Sequence, residues 1–362
     1  MRIAYLCADR GIALGGSKGA AVHMTAIVTA LARSGAEVLL LPSRVAGGGL
    51  DELPADVIVD PLPAAATDAA LADLLEARLS EFGAEALYER ISLHTAAGAA
   101  AAARLGIPYL VELNAPLPEE AARYRSLERP REAERLEREV LSGADAVLAV
   151  SGPLVRYARE RGATHVEVFP NAVDLGRFPA PSTVREPRCV FLGALRPWHG
   201  VEAVAEGWRL LGREAPELLV VGDGPGRSAL EAVGAKVIGT VTHREVPALL
   251  ASASIGLAPY AADAPGYFSP LKLFEYLAAG LAVVAGAIEG VCEVVSHEHV
   301  VLASPGDPEA FADAVRTLAA DERMRARLGS AGRELVAAHH TWDRRARRIL
   351  ALAYRLQPAV AR

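Results

Sequence analysis

Apolar runs long enough for single strands alternate with helical patterns along almost the whole chain of 362 residues. The runs are continuously apolar, which is typical of strands buried on both faces of a parallel sheet. The repeated order of strand, helix and strand predicts an α/β fold. The predicted strands are Ile3–Cys7, Glu37–Leu41, Val57–Val59, Ala86–Tyr88, Tyr109–Leu113, Ala146–Val150, Val166–Val168, Cys189–Leu192, Leu218–Val221, Lys236–Ile238, Ile255–Ala258, Ala282–Ala285 and Val300–Leu302.

This series is interrupted once, between Asn171 and Pro187, where a Pro-rich stretch indicates a linker. Two parallel sheets in tandem predict two Rossmann-like domains that face a central cleft, over residues 1–175 and 188–342. The helices predicted in the first half are Ala21–Ser34, Asp68–Glu81, Thr95–Leu105, Pro118–Ser142 and Pro153–Arg161.

Composition excludes several classes of protein. The net charge of −6 and the lack of a long basic block argue against a nucleic-acid partner. Cys7, Cys189 and Cys292 lie far apart in apolar runs, which is typical of free thiols in a reducing cytoplasm. No run of ~18 apolar residues could span a bilayer, so we expect a cytoplasmic protein without stable membrane insertion. No spacing of Cys and His predicts a metal site.

Ser269 and Pro270 predict a helix start at the end of a loop rich in Gly and Pro. Ser is a favoured N-cap, and Pro suits the first helical position. The unpaired N–H groups of Leu271 and Lys272 would then point out of the helix start. Together with the helix dipole, such groups form a binding site for a phosphate.

Glu275 follows about 1.5 turns into the same predicted helix. A carboxylate can accept two hydrogen bonds from a ribose diol, so the segment could hold a nucleotide diphosphate by its phosphate and its ribose. The simpler alternative is a buried helix that Ser269 and Pro270 cap, with Glu275 in solvent.

Glycine-rich turns follow the first three strands of the second half. The first turn, Gly193–Gly200, contains Arg196 and His199; the second contains Gly222, and the third ends at Val241. Because the carboxyl ends of parallel strands form the ligand-binding edge of an α/β sheet, we expect these turns to line one site.

In this order, the elements of residues 189–290 resemble the donor-site motifs of the retaining GT-B glycosyltransferases of family 4. Glu275 matches the second acid of the Glu-x7-Glu motif, which binds the ribose in that family. Tyr267 occupies the position of the first acid, which usually contacts the transferred sugar. A branch of the family carries Ser-Pro-x-Lys-x-x-Glu-Tyr instead, and residues 269–276 match that pattern.

The resemblance implies how a donor is held. In the family, an Arg usually follows the first Gly of this turn; here Ala194 occupies that position and Arg196 lies nearby. His199 occupies the position of a Lys that binds the diphosphate in the family. A His does so fully only when it is protonated. The family holds the base with backbone groups near Val241. The donor-binding residues implied are Gly16, Arg196, His199, Gly222, Val241, Ser269, Leu271, Lys272 and Glu275.

Polar residues at strand ends of the first domain are candidates for the catalytic side. In much of the family, a His near the reacting carbon occupies the position that aligns with Asn114. An Asn cannot take up a proton there, but it can hold a sugar hydroxyl. We predict Asn114, Glu112 and His94 as catalytic or acceptor-binding residues, with Glu89 as a further candidate. The alternative for each is a salt bridge or a cap.

The resemblance implies a retaining transferase that moves a hexosyl-type sugar from a UDP- or GDP-sugar to a small-molecule acceptor, by front-face attack and without cofactor or metal. It also implies that the last helix, residues 343–362, packs back on the first domain, although its basic face could instead contact anionic lipid. The alternatives are a nucleotide-sugar epimerase or hydrolase of the same fold, or a non-catalytic sugar-nucleotide-binding protein, because Tyr267 and Ala194 depart from the family pattern.

Overall fold

The computed structural model describes residues 1–64, 67–179 and 186–357. The chain divides into two compact units. Unit 1 comprises Met1–Pro170 and the chain from Trp342 onwards, and unit 2 comprises Asn171–Thr341.

Unit 1 is built on a parallel sheet in which the described strands follow the order β3-β2-β1-β4-β5-β6-β7. Connecting helices complete the βαβ units that a parallel sheet requires. The strands are β1 Arg2–Cys7, β2 Glu37–Pro42, β3 Ile58–Val59, β4 Ala86–Arg90, β5 Tyr109–Leu113, β6 Ala146–Ala149 and β7 Val166–Val168. The helices are α1 Gly19–Arg33, α2 Asp68–Phe82, α3 Ala97–Leu105, α4 Leu117–Tyr124, α5 Pro130–Gly143 and α6 Gly152–Glu160.

Unit 2 repeats this plan with the strand order β10-β9-β8-β11-β12-β13, again all parallel. Its strands are β8 Arg188–Leu192, β9 Glu217–Val221, β10 Lys236–Val237, β11 Ile255–Ala258, β12 Ala282–Gly286 and β13 Val301–Ala303. Its helices are α7 Val201–Leu211, α8 Arg227–Glu231, α9 Val246–Ala251, α10 Leu271–Ala278, α11 Glu289–Cys292, α12 Pro308–Ala320 and α13 Glu322–His339.

The predicted strands are confirmed to within about two residues at each end, and the α/β class with parallel sheets is confirmed with them. The single helix predicted over Pro118–Ser142 is wrong, because α4 ends at Tyr124 and α5 begins at Pro130. Pro130 lacks an N–H and restricts the residue before it. Arg129 accordingly adopts a φ of 51°, which a continuous helix does not allow.

The division between the units falls at Asn171, whereas the sequence predicts a first domain that ends at 175 and a second that begins at 188. The segment after Asn171 packs within unit 2. The N–H of Val173 donates to the His340 carbonyl oxygen at 2.9 Å, and Phe178 is buried in the unit 2 core. Residues 180–185 of the predicted linker lie outside the described residues.

The last helix, α14 Trp342–Leu356, belongs to unit 1 and packs against α1. The rings of Trp342 and His23 lie 4.8 Å apart, edge to face. The basic face of α14 is used within the unit: Arg345 donates to the Pro170 carbonyl oxygen at 2.9 Å, and Arg348 pairs with a Glu of β7. Residues 358–362 of the predicted helix lie outside the described residues. Among the helices that the structure describes, none is long and apolar enough to cross a membrane.

Candidate functional site

The turns after β8, β9 and β10 meet at one edge of the unit 2 sheet. Leu195 N–H donates to the Asp223 carbonyl oxygen at 3.0 Å, and Gly222 N–H donates to the Gly239 carbonyl oxygen at 2.8 Å. Gly222 has a φ of 142°, and a Cβ there would collide with the carbonyl of Gly193. Only glycine allows the two turns to approach this closely. The structure thus brings the predicted Gly222 turn against the turn that carries Arg196.

Helix α10 follows β11 and begins at Leu271, one residue later than predicted. Pro270 is the N-cap residue, and the helix has no side-chain cap. The prediction that Ser269 caps the helix is therefore wrong. Its hydroxyl instead accepts a hydrogen bond from the Asn171 N–H at 3.0 Å, and its carbonyl accepts one from the Asn171 amide at 2.5 Å. A partner distant in sequence thus replaces the local capping interaction.

Because no side chain caps α10, its first N–H groups stay open. Those of Leu271 and Lys272 make no hydrogen bond with the described residues. The Lys272 ammonium is buried and also lacks a hydrogen-bond partner within the described part of the chain. It lies 4.3 Å from the ring centroid of Phe191, beside Gly193. Burial lowers the pKa of Lys272 to about 7, although Glu275 acts in the opposite direction. An unpaired buried cation next to open N–H groups is suited to an anionic ligand.

Arg196 and His199 lie on the same turn as Gly193, but only one of them supplies a charge. Arg196 is exposed, with its guanidinium 6.0 Å from the ring centroid of Trp198. His199 Nδ1 donates to the Ala194 carbonyl oxygen at 2.6 Å. Burial, with the charge of Lys272, lowers the pKa of His199 to about 3. The unliganded protein therefore keeps His199 neutral, so a bound anion would have to favour its protonation before it could act as the Lys that it replaces.

Glu275 lies one turn into α10, and its side chain is 9% exposed. The carboxylate does not lie free in solvent, which is what the simpler alternative of a capped helix expects, because His243 Nε2 is hydrogen-bonded to its Oε1 at 2.5 Å. Arg177 in turn donates to His243 Nδ1 at 2.6 Å and to the His243 carbonyl oxygen at 2.5 Å. The sequence gives no signal for either partner: both lie far from Glu275 along the chain, outside any motif.

Val241 lies in the turn after β10, packed at the edge of the unit 2 core. The backbone N–H and C=O groups of Thr240 and Val241 make no hydrogen bond with other described residues. These groups are open at the point where the resemblance expects a base to be held. His243 follows two residues later, so the turn leads directly to the partner of Glu275.

Gly16 belongs to unit 1, in the turn between β1 and α1. Its N–H donates to the Ala13 carbonyl oxygen at 2.9 Å. The neighbouring Gly15 has a φ of 76°, and a Cβ there would collide with the backbone of Gly49. The turn is thus anchored to the chain that follows β2.

The prediction that Glu112 binds an acceptor is not supported, because its carboxylate is 2% exposed and already fully used. Burial would raise its pKa, but the pKa is lowered well below the ordinary value because His23 and Arg90 interact with the charge. Glu112 is therefore the centre of a buried polar cluster. Its donors are Tyr5 Oη at 3.0 Å, His23 Nε2 at 2.8 Å, Tyr88 Oη at 2.6 Å, Arg90 Nη1 at 2.7 Å and Asn114 Nδ2 at 3.2 Å.

Asn114 and His94 remain the more accessible candidates in unit 1, since both are partly exposed. The Glu112 carboxylate holds the amide of Asn114 and so directs it at the end of β5. His94 has a φ of 66°, rare for a residue with a side chain, and its Nδ1 is buried without a partner among the described residues. Glu89 is fully buried beside Tyr109 and Gly98, so it is not accessible to an acceptor.

Comparison with known proteins agrees with this arrangement. Residues 17–177 match the family model described as Glycosyltransferase Family 4, and residues 186–321 match the one described as Glycosyl transferases group 1. Among solved structures, the sucrose-phosphate synthase of Thermosynechococcus elongatus has a TM-score of 0.75 at 19% identity, with 98% of each chain covered. The chain therefore belongs to the GT-B glycosyltransferases of family 4.

Two further relatives carry ligand information in their names. Anabaena HepE in complex with UDP and glucose has a TM-score of 0.76 at 17% identity, over 98% of this chain and 100% of that one. A GDP-mannose-dependent α-(1-6)-phosphatidylinositol monomannoside mannosyltransferase of Mycobacterium tuberculosis is 30% identical over 57% of this chain. The chain spans only 47% and 60% of the length of the curated relatives that it matches.

Proposed function

We propose that this protein transfers a hexosyl sugar from a nucleotide-diphosphate sugar to a small-molecule hydroxyl acceptor, with retention of the anomeric configuration. The observation that carries the proposal is the start of α10. A single short helix carries two open N–H groups, a carboxylate one turn later and a buried ammonium that has no hydrogen-bond partner in the part of the chain that the structure describes. This set of groups fits the diphosphate and the ribose of such a donor. It fits a neutral ligand less well.

Lys272 and the dipole of α10 would bind the diphosphate, with Arg196 as a second, exposed cation. The diphosphate gains negative charge as the glycosidic bond breaks, so groups fixed in advance stabilise the transition state more than the ground state. These residues supply charge where a metal would otherwise be needed, which supports a metal-independent reaction. His199, with Nδ1 bonded to Ala194, would present a lone pair at Nε2 that accepts from a hydroxyl.

Unit 2 is the donor unit in this proposal, and unit 1 is the acceptor unit. Asn114 would hold a hydroxyl of the acceptor or the transferred sugar, and His94 is a second contact. Glu112 acts through Asn114 and does not touch substrate. Front-face attack, in which a donor phosphate oxygen takes the acceptor proton, is the mechanism that the family resemblance implies.

GDP-mannose and UDP-glucose are the donors to test first, because the names of a relative and a solved neighbour contain them. Each donor is incubated with the protein in the absence of acceptor, and release of nucleoside diphosphate is followed by chromatography. We expect slow hydrolysis of one donor. Lys272→Met should reduce it at least tenfold, whereas Arg209→Ala should not, because Arg209 is 52% exposed and, among the described residues, forms an ion pair with Glu206 alone.

A second candidate, a non-catalytic sugar-nucleotide-binding protein, is favoured by Tyr267, which replaces the acid that usually contacts the transferred sugar. Binding of a donor without turnover, with or without added sugar acceptors, would support this candidate. A changed sugar on an intact donor, seen by NMR, would instead indicate an epimerase. If neither nucleotide sugar binds, the proposed function is wrong.

A further inference from the structure

Three side chains of unit 2 form a hydrogen-bonded series that ends on the proposed ribose-binding carboxylate. The Arg177 guanidinium, on the short 3-10 helix Leu175–Arg177, lies 2.6 Å from His243 Nδ1. The opposite ring nitrogen, Nε2, lies 2.5 Å from Glu275 Oε1. A second bond, from Arg177 to the His243 carbonyl oxygen, fixes the backbone beside the ring. The three residues come from three separate segments, so the series exists only in the folded unit.

The series has one direction of hydrogen bonding. A guanidinium has donors only, so His243 Nδ1 must accept from Arg177. The ring proton is then on Nε2, where it is donated to Glu275 Oε1. Arg177 therefore selects the tautomer that can hold the carboxylate. With Oε1 occupied in this way, Oε2 makes no hydrogen bond with the described residues.

We propose that His243 is a positioning residue, which orients the Glu275 carboxylate so that Oε2 accepts from a ribose hydroxyl, and that Arg177 holds His243 in the required tautomer. This inference rests on the proposed function. The proposed role of His243 is more specific than a contribution to stability, because His243 lies two residues after Val241, in the turn proposed to hold the base. The same side chain thus links the base turn to the ribose carboxylate.

The burial of each partner supports a positioning role. The Glu275 side chain is 9% exposed and that of His243 is 24% exposed, so the bond between them is shielded but lies close to the surface. A carboxylate that rotates freely would pay side-chain entropy on binding the ribose. A carboxylate that one strong donor already holds has lost this freedom on folding.

The test compares His243→Leu with His243→Gln. Gln places an amide N–H donor close to the position of Nε2, whereas Leu removes the donor at similar volume. Calorimetry measures the affinity of each protein for GDP and UDP and for their 2′-deoxy and 3′-deoxy analogues. In the wild type, we expect one hydroxyl of the preferred nucleotide to contribute about tenfold or more in affinity, as for a charged hydrogen bond. His243→Leu should reduce that ratio below about threefold, and His243→Gln should keep most of it.

The ratio is measured within each folded variant, so a uniform loss of stability does not imitate the effect. An unchanged ratio in His243→Leu, with all ligands weakened equally, would overturn the inference and leave the proposed function intact. Tighter binding of the ribonucleotide by His243→Leu would also overturn it, because His243 would then block Glu275. If the wild type binds neither GDP nor UDP, the proposed function fails, and the inference fails with it.

Discussion

Two buried glutamates show how the same residue type takes different roles according to its hydrogen-bond donors. Glu112 receives hydrogen bonds from five side chains and has no capacity for a ligand. Glu275 receives one and keeps an oxygen for a ligand. Sequence patterns do not distinguish the two, since both are acids near the carboxyl edge of a sheet.

Glu112→Gln should lower the free energy of unfolding by ~3–5 kcal/mol, because it breaks a buried ion pair and places an amide N–H among donors. Urea unfolding measures the loss. Glu139→Gln is the control: its ion pair with Arg135 lies on the surface, with the Glu139 side chain 51% exposed, and should contribute less than ~1 kcal/mol. Equal losses in the two variants would show that Glu112 is not a structural centre.

Glu89 gives a prediction about pH. Burial raises its pKa to about 8, despite the hydrogen bond from Tyr109. The unfolded carboxyl titrates near ~4.3, so between that pH and about 8 only the folded state keeps the proton. The free energy of unfolding should therefore fall as pH rises through this window, by up to ~1.4 kcal/mol per unit. Above the window the loss is complete.

Glu89→Gln removes this titration, so its stability should depend less on pH. Urea unfolding at pH 6, 7 and 8 compares the variant with the wild type. The wild type should lose on the order of 2 kcal/mol more than the variant between pH 6 and pH 8. Parallel pH profiles would mean that Glu89 is ionised in the folded protein at neutral pH.

At the scale of elements, the glycine turns determine how closely the loops after β8 and β9 approach each other. Gly222→Ala should destabilise unit 2 by at least ~2 kcal/mol, because it adds a clash with the Gly193 carbonyl to an unfavourable φ. Gly234→Ala is a matched control: its φ is 81°, and a Cβ there meets nothing within 4 Å. It should cost only ~1–2 kcal/mol. Thermal unfolding compares the Tm of the two variants. Equal decreases in Tm would show that the contact with the Gly193 carbonyl adds no cost.

Helix α10 carries the second pH-dependent element. The pKa of Lys272 is lowered to about 7 by burial, and a bound diphosphate must raise it. Below pH 7 the ammonium is already charged, so the titration of Lys272 no longer changes the affinity for nucleoside diphosphate there. Above pH 7 binding requires proton uptake, and affinity should fall by up to about tenfold per pH unit.

Calorimetry with GDP or UDP from pH 6 to pH 9 tests this. Lys272→Arg should flatten the fall, because a guanidinium stays charged. His199→Gln should leave the fall unchanged, because His199 is already neutral throughout this range. If His199→Gln flattens the pH profile and Lys272→Arg does not, His199 and not Lys272 is the group whose titration controls the affinity.

The sequence predicts elements well where local pattern decides them. Continuous apolar runs identify the strands, because a strand buried on both faces tolerates few polar residues. Glycines after strands identify the turns. The prediction fails where a distant partner decides, as for Ser269, whose hydroxyl bonds Asn171 instead of the helix start. It fails likewise for the series from Arg177 to Glu275, because the spacing of three distant segments depends on the fold.

At the scale of the whole molecule, the chain repeats one plan in two units and gives them different polar edges. In unit 1 the buried charges of Arg90 and Glu112 are paired with each other. In unit 2 the ammonium of Lys272 and the start of α10 are left unpaired among the described residues. An unpaired buried cation costs stability unless a ligand offsets it, and this supports the proposal that the donor binds to unit 2.

Calorimetry of a nucleoside diphosphate beside its parent nucleoside tests this claim most directly, with wild type, Lys272→Met and Glu275→Ala. Lys272→Met should strongly lower the affinity for the nucleoside diphosphate and leave the affinity for the nucleoside nearly unchanged, because only the diphosphate contacts the ammonium. Glu275→Ala should weaken the binding of both ligands by a similar ~1.5–3 kcal/mol, because both contain the ribose. Wild-type affinity of both variants for the diphosphate would contradict a donor site on α10.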